Sequence, residues 1–513
     1  MLQTKLEEFI GRRAAANPLP KTVAPYTTSK FFKSSESNTK PKAKDCQHRL
    51  SHEARRLTVS PLKAASRDHK HDDMVSLGTA RPSPEYFPWE SLTMHCPESS
   101  SPGSDVPIGS CLTMQSVRNE TDYDLAVALN YGYTAGSPQI LRFITEHIEL
   151  VHDPPYQDWE CCMTCGTTSA LEVALRIFCN PGETMLVENH AYSGTLACAR
   201  AQGIFLQSVK LDEYGLVPED LDTRLTNWDL SKGSKPHVLY TIPTGQNPTG
   251  TTQPLERRRQ IYELAEKHDL YILEDDPYYF LQLEETTAHG PSPALFDLDR
   301  YLDSLPKSYL SLDVSGRVLR MDSTSKILAP GLRAGWITAS SMVVDKFISF
   351  SEVGALHPSG PTQVMLYKLL DQSWGHDGFI RWLINLSTQY HRRRDILIAA
   401  CHKYLPSGVC TWKTPESGMF LWVNVKVPKL STSDFSDGDT LWAAHESIEE
   451  NIFTQAQENG VLVSRGSWFM HDKTELREVS FRLTFAAAQE DSLDRAVERF
   501  GSAIQTYMAL NCM

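Results

Sequence analysis

Val318-Leu319-Arg320-Met321-Asp322-Ser323-Thr324-Ser325-Lys326-Ile327-Leu328-Ala329-Pro330-Gly331-Leu332-Arg333 opens as an apolar run and ends as a polar loop. Residues 318–322 have the length and content of a buried strand. The loop sets one lysine behind two spaced serines, with an arginine following Pro330-Gly331. Apolar runs of the same kind occupy 184–188, 237–242, 270–274 and 335–339. Helix-length segments separate them, such as 169–178, entered through Thr167-Thr168, and 254–268, with Pro254 near its first turn. Short strands alternating with helices make βαβ units, hence an α/β fold with a mainly parallel sheet covered on both faces.

Beyond residue 361 the pattern changes. A long helical segment over 363–404 and strand-like runs at 419–425 and 478–485 predict a smaller α+β domain. The expected division is a flexible, mildly basic extension over 1–50, an arm over 51–115 packing with the small domain, a large domain over 116–360 and the small domain over 361–513.

Composition narrows the function. The 513 residues are 41% hydrophobic and 22% charged, as in an ordinary globular protein. Net charge is 50 − 63 = −13, which disfavours nucleic acid as a partner. No run approaches the ~18 apolar residues of a spanning helix, so no membrane partner is expected. Residues 1–25 lack the apolar core of a secretory signal. A cytoplasmic location follows; the alternative, a mitochondrial presequence, is opposed by Glu7 and Glu8. Eleven cysteines without regular spacing read as reduced thiols, and Cys161, Cys162 and Cys165 lack the second pair of a metal site.

Three strand-end loops carry the chemistry. An amine near hydroxyls and a guanidinium suits an aldehyde cofactor with a phosphate tail. Upstream, Tyr271-Ile272-Leu273-Glu274-Asp275-Asp276-Pro277-Tyr278 is a strand emptying into carboxylates and a tyrosine. An aspartate there could hold a pyridine nitrogen protonated while Tyr278 reaches the ring oxygen. Pro243-Thr244-Gly245-Gln246-Asn247-Pro248-Thr249-Gly250 is a turn whose Asn247 can donate through its amide. Each piece alone has a plainer reading: a solvated loop, an acidic helix cap, a tight turn. Together they occupy the ligand-binding ends of an open α/β sheet.

The joint occurrence, in this order, of N-P-T-G (247–250), E-D-D-P-Y (274–278), S-x-S-K-x-x-x-P-G-L-R (323–333) and F-R-L-T-F (481–485) resembles the fold-type-I pyridoxal-phosphate (PLP) aminotransferases. Within that class the chain is similar to the fungal aromatic amino acid and 2-aminoadipate aminotransferases, over residues 50–505. The resemblance implies a seven-stranded sheet in the large domain and a homodimer with shared active sites. It implies that Lys326 binds the cofactor aldehyde and then moves the substrate proton. Asp275 would pair with the pyridine nitrogen, and Asn247 and Tyr278 with the ring oxygen. Gly166, Thr167, Thr168, Ser323, Ser325 and Arg333 would hold the phosphate, Arg333 and the other site cations being buried. Tyr192 would stack on the ring, and Tyr131, with Tyr133 as its competitor, would reach the neighbouring subunit's cofactor. Arg482 would bind the substrate α-carboxylate, together with Asn247, Tyr192 and the backbone at Gly78.

The chain departs from the pattern at Ser76-Leu77-Gly78-Thr79-Ala80-Arg81-Pro82, where relatives carry a glycine-rich run. Thr79 and Ala80 bear side chains where backbone normally approaches substrate. Arg81 could meet an acidic substrate or lie on the surface. Tyr86, Phe87, Trp89, Trp468 and Phe469 fit an aromatic pocket or ordinary packing equally. The expected activity is ping-pong transamination of an aromatic amino acid (Trp, Phe or Tyr) with 2-oxoglutarate or an arylpyruvate, in fungal amino acid or secondary metabolism. Alternatives are a 2-aminoadipate or kynurenine aminotransferase and a PLP-dependent lyase or synthase.

Overall fold

The computed structural model describes residues 2–58, 77–78, 80–97, 111–283, 298–427, 438–472 and 478–511. Seven strands form the main sheet: β1 (Trp159–Thr164), β2 (Thr184–Glu188), β3 (Phe205–Val209), β4 (Val238–Thr241), β5 (Tyr271–Asp275), β6 (Val318–Ser323) and β7 (Gly335–Ser340), in spatial order β1-β7-β6-β5-β4-β2-β3. Every residue of β2, β4, β5, β6 and β7 is buried. Covered on both faces, these strands read as apolar runs because neither face meets water. β1 and β3 were not read from the sequence. Glu160 and Thr164 interrupt the apolar signal of β1, and Gln207 and Ser208 that of β3.

The chain falls into two compact units, interleaved along the sequence. The first comprises Met1–Asn180, Tyr271–Pro277 and Pro293–Asn385, the second Pro181–Leu270, Tyr278–Ser292 and Leu386–Met513. In this division residues 51–115 fall in the first unit, and residues 181–270 in the second with the C-terminal part. In the first unit β6 runs parallel to β5, whereas β7 runs antiparallel to β6 and to β1. In the second, β2 runs parallel to β3 and β4. The second unit also holds an antiparallel sheet in order β8-β9-β11-β10, from β8 (Cys410–Trp412), β9 (Phe420–Val425), β10 (Ser464–Arg465) and β11 (Val479–Thr484). Leu421, Val423 and Val425 alternate into a core with Ile452, Phe481, Val497 and Phe500, each worth about 1.5–3 kcal/mol on burial. The opposite face carries Phe420, Trp422, Ser480 and Arg482. Among the described residues no helix is long and apolar enough to cross a membrane.

The helical stretch expected over 363–404 is divided. A helix Gly360–Leu366 passes into a π-helical stretch, Tyr367–Trp374, before the long helix Gly375–Tyr404. The π-helical turns project Asp371 toward Arg142 Nη2 at 2.8 Å and Arg13 Nη2 at 2.6 Å.

Residues 1–50 are not a loose extension. Helix Leu2–Ala15 buries Leu2 and Phe9, and Arg12 and Arg13 pair with Glu149 and Glu146 of helix Pro138–Val151. Farther on, Ser29 Oγ accepts the Cys161 N–H at 2.9 Å, and Lys33 Nζ donates to the carbonyls of Gln157 and Trp159. The segment thereby covers the outer edge of β1, whose unpaired backbone groups would otherwise be open to another chain.

Glu146 is almost fully buried. Burial pushes its carboxyl up, but hydrogen bonds and charge from Arg13 and His376 outweigh this and hold it at about 2. A folded-state value below the unfolded one gives stabilisation that is complete above about 4.5 and lost as pH falls toward about 2. Urea unfolding followed downward from neutral pH should show that loss across the interval, and Glu146→Gln should flatten it.

Candidate active site

Strand alternation separates the three consecutive carboxylates at the end of β5. Arg320 on β6, fully buried, lies beside Glu274 in the register. Its Nη1 is 3.1 Å from Glu274 Oε1 and 3.3 Å from Asp276 Oδ2; its Nη2 is 2.9 Å from Asp322 Oδ1. Glu274 also accepts the N–H groups of Tyr309 and Leu310. Burial outweighs Arg320 at Asp322 and raises its carboxyl above the ordinary value. Asp275, 7% exposed, pairs in register with Met321 and so lies on the other face from the Arg320 cluster. Of the run Glu274-Asp275-Asp276, two members serve the fold, and Asp275 is the one turned to the opposite side.

β6 and β7 form an antiparallel pair, Ser323 facing Gly335, and residues 324–334 close the loop between them. Thr324 fixes the loop base by donating both N–H and Oγ1 to the Ala334 carbonyl, at 3.1 and 2.8 Å. The Leu328 N–H returns to the Thr324 carbonyl, and Trp382 Nε1 donates to that of Ile327. Lys326, half-buried, stands on this pinned backbone. Ser325 N–H donates to Ser323 Oγ at 3.1 Å. Arg333 Nη1 and Nη2 donate to the carbonyls of Pro330 and Cys165.

Gly166 caps helix Thr167–Phe178 with φ +88°, and a Cβ there would stand 2.5 Å from Arg333 Nη2. A guanidinium over a helix N-terminus, with Thr167 and the exposed Thr168 in its first turn, is a donor set for a phosphate dianion. Arg333, expected buried, is exposed, because the 3-10 turn Pro330–Leu332 carries it outward into a left-handed conformation (φ +46°). The bare Gly166 cradle, the Lys326 amine and the buried Asp275 carboxylate fit PLP.

In the second unit two glycines lock the turn carrying Asn247. Gly245 (φ +54°) approaches Gly418 (φ +81°) so closely that a Cβ on Gly245 would meet Gly418 Cα at 2.6 Å. Gln246 Nε2 ties the turn to Glu188 Oε2 at 2.9 Å and the His190 carbonyl at 2.6 Å. Arg482 Nη1 donates to Asn247 Oδ1 at 2.7 Å and Nη2 to Ser464 Oγ at 3.2 Å. Its guanidinium carbon lies 4.6 Å from the Phe420 ring centroid and 4.7 Å from that of Phe469. Its buried Nε has no hydrogen-bond partner, and no carboxylate pairs with it among the described residues. Burial lowers the Arg482 pKa, opposed by Tyr278 and Tyr192. Tyr278 is buried edge-on to Phe420, and the Tyr192 ring folds over Gly194.

Other expected residues stand apart. Tyr131 is 54% exposed, while its competitor Tyr133 is buried against Tyr26. A Cβ at Gly78 would meet nothing within 4 Å among the described residues; Thr79 lies outside them. Arg81 Nη1 donates to the Val23 carbonyl at 3.3 Å. Tyr86 and Trp89 are exposed, whereas Phe469 is buried on Arg482. Burial pushes Cys161 up to about 12 and Cys162 higher still, leaving neutral thiols. Sequence reasoning missed Phe420 and Ser464 around Arg482. The two-residue period of β9 and its pairing with β11 carry that signal only once the register is known.

A seven-stranded, mainly parallel sheet whose loops present a lysine, an aspartate and an anion cradle defines a fold-type-I aminotransferase. The family model for aminotransferase class I and II matches residues 111–500, and the chain belongs to that family. It is 44% identical over 471 residues to aminotransferase swnA of Arthroderma benhamiae, covering 91% of this chain and 93% of that one. It is 39% identical to an aromatic amino acid aminotransferase of Schizosaccharomyces pombe, covering 90% and 98%. Among solved structures it is similar to aminotransferase Aro8 from Candida albicans, with a TM-score of 0.83 and 37% identity over 92% of this chain and 100% of that one.

Arg320→Met leaves three buried carboxylates without their cation and should cost about 3–5 kcal/mol in chemical unfolding. Arg320→Lys keeps the charge without the planar fork and should recover only part of the loss.

Proposed function

We propose that the protein transfers the amino group of an aromatic L-amino acid to a 2-oxo acid, 2-oxoglutarate or an arylpyruvate, in two half-reactions that share one PLP. The observation that carries this reading is Arg482: a half-buried guanidinium without a carboxylate partner, flanked by two phenyl rings. Both substrate types bring the α-carboxylate it lacks. The flanking rings, and the name of the Schizosaccharomyces pombe relative, support an aromatic side chain.

When bound, PLP supplies an electron sink for the carbon that loses its proton. Lys326 Nζ would hold the cofactor and then move the proton from the substrate Cα to the cofactor carbon C4′, and in the second half-reaction from that carbon to the Cα of the acceptor. Asp275 would keep the ring nitrogen protonated, a task suited to a buried carboxylate turned away from Arg320. Asn247 and Tyr278 would bond the ring oxygen, with Tyr192 facing the ring. Gly166, Thr167, Thr168, Ser323, Ser325 and Arg333 would hold the phosphate. The functional form we propose is a cytoplasmic homodimer in which Tyr131 serves the partner's cofactor.

The purified protein with added PLP should show an absorption band that Lys326→Ala abolishes. It should then convert Trp, Phe or Tyr to the 2-oxo acid with stoichiometric consumption of the acceptor. No band would overturn the cofactor reading, product without acceptor consumption would select a lyase, and indifference to aromatic donors would overturn the substrate assignment. Arg482→Ala should raise KM for donor and acceptor about a hundredfold.

A further inference from the structure

Arg482 is held from one side by a short segment that begins with β10. Ser464 is its partner in the strand register and accepts its Nη2 hydrogen bond; Phe469, at the end of the 3-10 turn Gly466–Phe469, packs on its guanidinium. The position of Arg482 therefore depends on what holds residues 464–469.

From the other side that segment is held by Glu449 of helix Gly438–Glu458. Its side chain has no solvent exposure. Oε1 and Oε2 accept the Ser467 N–H at 3.2 and 3.3 Å, and Oε2 accepts Arg465 Nε at 3.4 Å. Gly466 makes the approach possible: a Cβ there would lie 3.2 Å from Glu449 Oε1 and 2.8 Å from the Ser480 carbonyl. Arg465 reinforces the attachment through Glu450 and the Glu446 carbonyl. His445, one turn earlier, lies 3.9 Å from Glu449 Oε1 and 3.0 Å from the Glu478 carbonyl oxygen.

We infer that Glu449 is a positioning residue for carboxylate recognition: it clamps residues 464–469 so that Ser464 and Phe469 hold the Arg482 guanidinium in place. The inference rests on Arg482 as the α-carboxylate anchor. A carboxylate suits the clamp because it only accepts, and both groups pointing at it are donors. Glutamine keeps the size but turns one acceptor into an NH2 that opposes a donor.

The test is calorimetric titration of the PLP-loaded protein with 3-phenylpropionate, a carboxylate without the reacting amine, alongside steady-state kinetics. Glu449→Gln should raise the Kd for this probe, and KM for phenylalanine and for 2-oxoglutarate, all by about tenfold, with kcat nearly unchanged. Combining it with Ser464→Ala should give less than the product of the single effects, because both act through Arg482. A folded Glu449→Gln protein with wild-type Kd and KM, or with lowered stability alone, overturns the inference. Glu449→Asp, which keeps the acceptors but shortens the reach, should fall between; an effect larger than that of glutamine would also overturn it. Wild-type protein that binds the probe without transaminating would count against the proposed function alone.

Discussion

One guanidinium sits among three carboxylates in the first unit, and the strand ends that bear Asp275 and the Lys326 loop depend on it. Arg320 bonds Glu274 and Asp276 at the end of β5 and Asp322 at the end of β6. Removing four charged groups from water is costly, and their attraction repays it only with every partner in place. The backbone donors at Tyr309 and Leu310 supply part of the remaining satisfaction. With its neighbours held in this way, β5 delivers Asp275 to the opposite face, and β6 runs straight into the loop bearing Lys326. In the proposed function the cluster is structural: it fixes the strand ends from which Asp275 and the Lys326 loop depart.

Arg482 shows the reverse arrangement. Its charge is supported by faces and dipoles, two phenyl rings, one amide oxygen and one hydroxyl, rather than by an anion. These contacts offset only part of the burial cost, which is the condition for a strong response to an arriving carboxylate. In the proposed function the two arginines divide structural from substrate-binding charge: one is neutralised in excess, the other has no carboxylate partner among the described residues.

Much of this was legible from the sequence, for identifiable reasons. The central strands are covered on both faces, so they read as mainly apolar runs, and several candidate site residues, Lys326, Asn247 and Gly166 among them, lie in loops at strand ends, where polar types and glycines stand out. What escaped depends on contacts between distant residues. Arg12 and Arg13 look like a solvated basic turn until Glu149 and Glu146 are placed beside them. Residue types alone do not separate Glu274 and Asp276 from Asp275; the family motif singles out Asp275, and the reason becomes visible once Arg320 claims the other face. The exposure of Arg333 follows from a left-handed backbone at a non-glycine residue, which no residue pattern announces.

The loop over 324–334 has a kinetic meaning. Its backbone is pinned at Thr324, Ile327 and Leu328. In the proposed function the amine would be a tethered reagent with a fixed origin, its effective concentration set by the four-carbon stem and not by motion of the chain. After any excursion it returns to the same small volume. A group that must act, withdraw and act again in each turnover needs a short leash more than a rigid grip.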